Sequence, residues 1–152
     1  MTLIVIPGEP VSKARARVFF NKKANRIMAI TPTKTASYEQ YIKLLAADYF
    51  TAPSLEPIVM TVRVYRGIPK SLSKKLIPEA EAGRIRPSSR PDADNYLKSC
   101  LDALNGIAFK DDSQVVSVHV HKFYSSTPRT EIEISELNDP EGRLPPPPGV
   151  PE

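Results

Sequence analysis

Residues Pro57 to Tyr65 alternate without interruption: Ile58, Met60, Val62 and Val64 fall on one side of an extended chain, and Val59, Thr61, Arg63 and Tyr65 on the other. A helix would scatter these residues around its axis, so the stretch reads as a strand with one apolar face. Such a strand needs hydrogen-bonding neighbours at its edges and an apolar layer over that face. Several segments can supply the neighbours. Thr2 to Pro7 is a short apolar strand ended by the Pro7-Gly8 breaker. Arg17 to Phe20 and Arg26 to Ile30 flank the polar run Asn21 to Asn25, a pattern that predicts a hairpin with a basic, exposed loop. Val115 to Phe123 sets Val116, Val118 and Val120 on one face, and Thr130 to Ile134 is expected as its antiparallel neighbour across the turn from Ser125 to Arg129.

The covering layer is predicted from helical spacing. Thr31-Pro32 is a start signal, and Tyr38, Tyr41, Ile42, Leu45, Ala46 and Tyr49 follow at intervals of three and four, which predicts a helix from Pro32 to Phe50 with tyrosines in core and boundary positions. A second helix is expected over Ser71 to Ala82, broken or kinked by Pro78 and closed by Gly83. A third, from Asp94 to Leu104, turns Leu97, Cys100, Leu101 and Leu104 inward. Helices interleaved with strands and hairpins imply an α+β fold, a single domain in which a mixed or antiparallel sheet is flanked by helices. At 152 residues one core buries roughly 70% of the unfolded surface. The domain is expected over residues 1–137. From 138 to 152 the run Pro145 to Pro148 favours extended polyproline II, and these residues form a C-terminal tail outside the core.

Charge is unevenly spread in a chain of net charge +4. Lys13, Arg15, Arg17, Lys22, Lys23 and Arg26 crowd the first thirty residues against the single acid Glu9, and Arg84, Arg86 and Arg90 run up to an acidic cluster. A basic surround for an acidic pocket suits a polyanion held near bound cations, although solvated surface charge explains any one of these residues equally well. Cys100 is the only cysteine, which excludes an internal disulfide and accords with a reducing, cytoplasmic setting. No apolar run approaches the roughly 20 residues of a membrane helix, so no membrane partner is expected.

The acidic cluster runs from Arg90 to Gln114. Asp92 and Asp94, at a spacing of two next to a helix start, repel each other unless a cation intervenes, and hard ions such as Mg²⁺ or Mn²⁺ take carboxylate ligands while leaving positions for water and phosphate. Lys98 follows Asp94 by one helical turn, where its ammonium can meet a phosphate in the transition state. Asp111 and Asp112 return to the same chemistry just before a strand. Ordinary structural roles compete at each position: Asp94 as a helix N-cap, Asp111 as a turn former, and Asp112 as the cap of a short turn before Val115. Caps need one acid per helix end, which leaves Asp92, the paired aspartates and Lys98 unexplained. Asp102, a further turn along, drifts toward solvent and is set aside. His119 and His121 share a strand face with no third ligand nearby in sequence, and are expected to face solvent.

At these residues the chain resembles the RusA family of Holliday junction resolvases. The likeness rests on Asp92-Ala93-Asp94-Asn95, Lys98, the run Leu101 to Gly106 and Asp111-Asp112-Ser113-Gln114-Val115, together with the opening Pro7 to Lys13 followed by Arg15 and Arg17. It implies that Asp92, Asp94 and Asp112 are essential carboxylates binding Mg²⁺ and that Lys98 is the catalytic lysine. Asp111 would be a supporting acid, Asn95 an orienting group and Gln114 a residue behind the ligands. It further implies an α+β homodimer that cuts opposed strands of a four-way DNA junction, with Lys13, Arg15, Arg17, Lys22, Lys23, Arg84, Arg86 and Arg90 holding DNA arms. Two other readings stay open: a less structure-selective metal nuclease on branched or single-stranded DNA, and a non-catalytic DNA-binding module whose acids only cap.

Overall fold

The structure, a computed structural model, describes residues 1–14, 17–30 and 32–137. Arg15, Thr31 and the expected tail at 138–152 lie outside the described residues. The elements in chain order are β1 (Thr2–Pro7), β2 (Arg17–Asn21), β3 (Arg26–Ile30), α1 (Thr33–Ala46), β4 (Ile58–Gly67), α2 (Ile77–Glu81), α3 (Ala93–Leu104), β5 (Val115–Ser125) and β6 (Arg129–Glu136). Four strands form a mixed sheet in the order β1-β6-β4-β5, and β2 and β3 form a separate hairpin. The α+β expectation is met.

β4 takes the interior of the sheet, as its alternation demands. Ile58, Met60, Val62 and Val64 are each almost completely buried, and Val59 on the opposite face is buried too. Ile4, Ile6, Ile132 and Ile134 lie on the same face by register, since Ile4 pairs with Ile132 and Ile132 with Val62. Helices α1 and α3 pack over this face through Tyr38, Ile42, Ala46, Tyr96, Cys100, Ala103 and Leu104. Burying each large aliphatic side chain contributes about 1.5–3 kcal/mol, which makes this layer the main source of stability. Tyr38 carries its hydroxyl inside and shares a 2.7 Å hydrogen bond with the Thr130 hydroxyl, which satisfies both buried groups.

Two expectations are corrected. β5 and β6 are not hairpin partners: β4 lies between them, antiparallel to β6 and parallel to β5. The most apolar strand is stabilised most by two neighbours, and the link over residues 126–128 is long enough for this. Four extended steps reach about 13 Å, against about 9.6 Å across two strand spacings. Consequently β5 is an edge strand, and Val116 and Val118 stay exposed while Val120 is half-buried against the core. The second helix is also shorter than expected. A 3-10 turn at Lys74–Leu76 precedes α2, which starts at Ile77 with Pro78 in its first turn, where the missing N–H costs nothing. Gly83 follows at φ 78°, the left-handed stop expected of it.

Candidate active site

α3 opens one residue earlier than its sequence pattern predicts. Asp92 holds the extended N-cap position and Asp94 sits inside the first turn, so Asp94 is not the cap. The Asp92 side chain makes no capping hydrogen bond, and among the described residues neither carboxylate has a hydrogen-bond or ion-pair partner. Both are exposed at the positive end of the helix dipole, where negative charge is favoured. Arg90, Pro91, Asp92 and Asn95 line an open hollow there.

The return of Asp111 and Asp112 to this helix is built by the turn that follows it. Gly106 adopts φ 81°, a value favouring glycine, and donates its N–H to the Phe109 carbonyl at 2.8 Å. Phe109 is fully buried, and Ser54 brackets it through Ser54 N to Ala108 O at 3.0 Å and Lys110 N to Ser54 O at 3.1 Å. A 3-10 turn then spans Asp112–Gln114. Its cap is Asp111 and not Asp112: the Asp111 carboxylate accepts from the N–H and hydroxyl of Ser113, whose hydrogen bonds hold it below the ordinary carboxylate value. Gln114 completes the box by accepting from the Asp111 N–H at 2.9 Å, and its amide donates to the carbonyls of Ser54 at 2.8 Å and Glu56 at 3.0 Å. Gln114 is thus a brace for the turn, and Asp111 is at least half committed to capping. Asp112 is left free of the cap, half-buried and turned toward α3.

Lys98 joins the two acidic segments. Its ammonium lies 3.8 Å from an Asp112 oxygen and 3.0 Å from Asp102 Oδ1. Asp94, Lys98 and Asp102 follow one another at four-residue intervals on one stripe of α3. Asp102 does not drift to solvent: its other oxygen accepts from Lys13 Nζ at 3.1 Å, and Lys13 also pairs with Glu39 Oε1 at 2.7 Å. Burial works to raise the Asp102 carboxyl, but hydrogen bonds from Lys98 and Lys13 outweigh it and hold the group below its ordinary value. For Lys13 burial works downward, and Glu39 and Asp102 together keep the ammonium above its usual value. The Lys98–Asp102 spacing was visible in the sequence as an i, i+4 pair; nothing local announces Lys13 or Glu39.

Asn95 contributes through its backbone, whose carbonyl accepts the Lys13 N–H at 2.9 Å and so seats the N-terminal segment against α3. The other basic residues divide. Lys13 is spent on internal ion pairs, Arg84 pairs with Glu79, and Arg86 lies 4.2 Å over the Phe123 ring while donating to the Lys122 carbonyl at 2.9 Å. Lys22, Lys23 and Arg90 are exposed. Arg15 lies outside the described residues, and Arg17 is described by its backbone alone. His119 is exposed and His121 half-buried near Phe123, at a ring separation of 6.0 Å.

The donor chemistry at Asp92, Asp94 and Asp112 suits a hard divalent cation: all-oxygen, anionic and uncommitted to other strong partners. Among the described residues no three acidic, histidine or cysteine side chains are grouped closely enough to hold a metal ion between them.

With this geometry in view, a family model described as Endodeoxyribonuclease RusA matches residues 7–135. A relative from Bacillus subtilis (strain 168), described as the uncharacterized protein YqaN, is 42% identical over 134 residues, covering 86% of this chain and 93% of its own length. The matched span holds β4, β5 and nearly all of β6, α1, α3 and every residue of the acidic constellation, and on that basis the chain belongs to the RusA family of endodeoxyribonucleases.

Proposed function

We propose that this protein is a divalent-metal-dependent Holliday junction resolvase, acting as a cytoplasmic homodimer in DNA recombination and repair. The observation that carries this reading is the joining of Asp112 to α3, the helix that carries Asp92 and Asp94 at its start, through Lys98. Asp92, Asp94 and Asp112 would hold Mg²⁺, with Mn²⁺ as a substitute; Asp111 supports them from the adjoining turn. When bound, the ion supplies an activated water and offsets charge on the leaving oxygen. Lys98 offers its exposed ammonium to the phosphate being cut, where negative charge develops. Asp102 keeps that ammonium on the acid-bearing side of α3. Gln114 fixes the turn that presents Asp112, and exposed basic side chains such as Lys22, Lys23 and Arg90 hold phosphates. Two opposed cuts in a four-way junction call for two active sites, and a two-fold dimer matches the symmetry of such a junction.

The test is to incubate purified protein with a synthetic four-way junction and with a linear duplex of matched sequence, in Mg²⁺ or in EDTA. Paired, symmetric nicks confined to the junction and dependent on the metal are expected. Cutting of both substrates would replace the reading with that of a less selective nuclease. Binding without cutting would reduce the protein to a DNA-binding module.

A further inference from the structure

The β2–β3 hairpin has apolar side chains on both faces, and among the described residues nothing covers Val18, Phe19, Phe20 or Ile27. On one face Val18, Phe20 and Ile27 are 70%, 56% and 72% exposed, and Phe20 pairs directly with Ile27. On the other, Phe19 opposite Met28 is 40% exposed. A bare two-stranded ribbon is marginal in water, and exposed aromatic residues on it need a partner. The tip is nonetheless well built. Asn21 Oδ1 accepts from the N–H groups of Lys23 at 3.0 Å and Ala24 at 3.1 Å, and Asn25 adopts φ 51° to close the turn.

Charge identifies the partner. From Pro10 to Tyr38 the sequence holds no acidic residue, and Lys22, Lys23 and Arg26 cluster at the tip. Packing hairpin on hairpin across a two-fold axis would bring these like charges together, whereas a polyanion would be attracted by them. Aromatic rings beside a basic tip are the combination that binds unpaired nucleic-acid bases: rings stack on the bases while ammonium and guanidinium groups meet the phosphates. Position agrees. The hairpin leaves the body beside the start of α3, since Lys13 bonds Asn95, and Ala14, Pro32, Pro91 and Tyr96 line one hollow.

We propose that this ribbon is a base-stacking element, with Phe20, flanked by Val18 and Ile27, resting on base faces exposed where stacking is interrupted at a DNA branch point while the tip grips the adjoining backbone. The inference rests on the junction-cleaving reading for its substrate, and it adds the feature by which a branch differs from a duplex.

The test uses the full chain in EDTA, so that binding is read without cleavage, and four-way junctions carrying 2-aminopurine either at the crossover or within an arm. Wild-type protein should change the fluorescence of the crossover probe only. The Phe20→Ala/Ile27→Ser variant, shown folded by circular dichroism, should lose that change and bind the junction at least about tenfold more weakly, with duplex affinity unchanged. The Lys22→Ala/Lys23→Ala variant should weaken both substrates alike and flatten the salt dependence by about two charges. Unchanged junction affinity in the apolar variant would overturn the proposal. So would a fall in mass from dimer to monomer by sedimentation, which would make the ribbon a subunit contact. Cleavage of the unlabelled junction by wild-type protein in Mg²⁺, measured in parallel, keeps a failure of the parent reading distinct from a failure of this one.

Discussion

Replacing Asp102 by Asn tests whether the ion-pair network behind Lys98 holds α3 to the N-terminal segment. The carboxylate receives Lys98 at 3.0 Å and Lys13 at 3.1 Å on separate oxygens. The amide has nearly the same shape but only one acceptor oxygen, and it turns an NH₂ donor toward one of the two ammonium groups. A hydrogen bond to a charged group is worth about 1.5–3 kcal/mol when shielded. Both contacts fall short of that limit. Lys98 is 52% exposed, so its pair lies in the surface range of about 0.2–1 kcal/mol. Lys13 is 25% exposed and keeps Glu39 after the substitution. The expected loss is therefore about 1–2 kcal/mol, or roughly 2–8 °C in melting temperature for a chain of this size. Because the folded carboxyl lies below its ordinary value of 3.8, this contribution is present in full well above that value and disappears as pH falls through the lower folded value. Denaturant unfolding of both proteins at pH 7 and in steps down to pH 3 reads the difference. Equal stability at pH 7 would refute the reasoning, and so would a gap that does not narrow on acidification.

Three further outcomes are expected. Asp94→Asn should abolish junction cleavage while leaving junction binding in EDTA within about threefold of wild type, because the carboxylate has no described partner whose loss would disturb the fold; gel-shift titration beside a cleavage time course checks both halves. Gln114→Ala removes two donated hydrogen bonds and one accepted bond, leaving carbonyls and the Asp111 N–H to water. It should cost about 1–3 kcal/mol by chemical denaturation and lower cleavage by displacing Asp112. Tyr38→Phe leaves the buried Thr130 hydroxyl without its 2.7 Å partner and should destabilise by about 1–2 kcal/mol with cleavage unchanged per folded molecule, a result that calorimetry and activity together can contradict.

Much of the site was legible because its residues are close in sequence and their spacing matches a helix. Asp94 and Lys98 at a four-residue step had to share one side of α3, and the acids after Asn105-Gly106 had to be brought back by a turn, whereas Asp102, set aside as drifting to solvent, is placed by its contacts with Lys98 and Lys13. The division of labour between Asp111 and Asp112 could not be read in this way. Either aspartate can cap a short turn, and the choice depends on Gln114 finding the carbonyls of Ser54 and Glu56, a segment more than fifty residues earlier. Lys13 presents the same difficulty: in sequence it is one more cation in a basic run, and the fold turns it inward onto Glu39 and Asp102.

Local pattern alone determined the strands, the α1 and α3 helices, the hairpin, the α+β class and the acidic constellation, because each depends on side-chain periodicity or turn chemistry within a few residues. Tertiary structure decided which strands became neighbours. Alternation predicted that Val115 to Phe123 and Thr130 to Ile134 were strands, but their pairing was settled by competition for β4, whose fully apolar face is best buried at the interior of the sheet. That competition left β5 at the edge with Val116 and Val118 exposed, and brought the turn that precedes β5 within reach of Lys98. The physical reason is the same in each case: periodicity records which side of an element is apolar, whereas contacts between distant segments depend on which arrangement buries the most apolar surface while satisfying every backbone group.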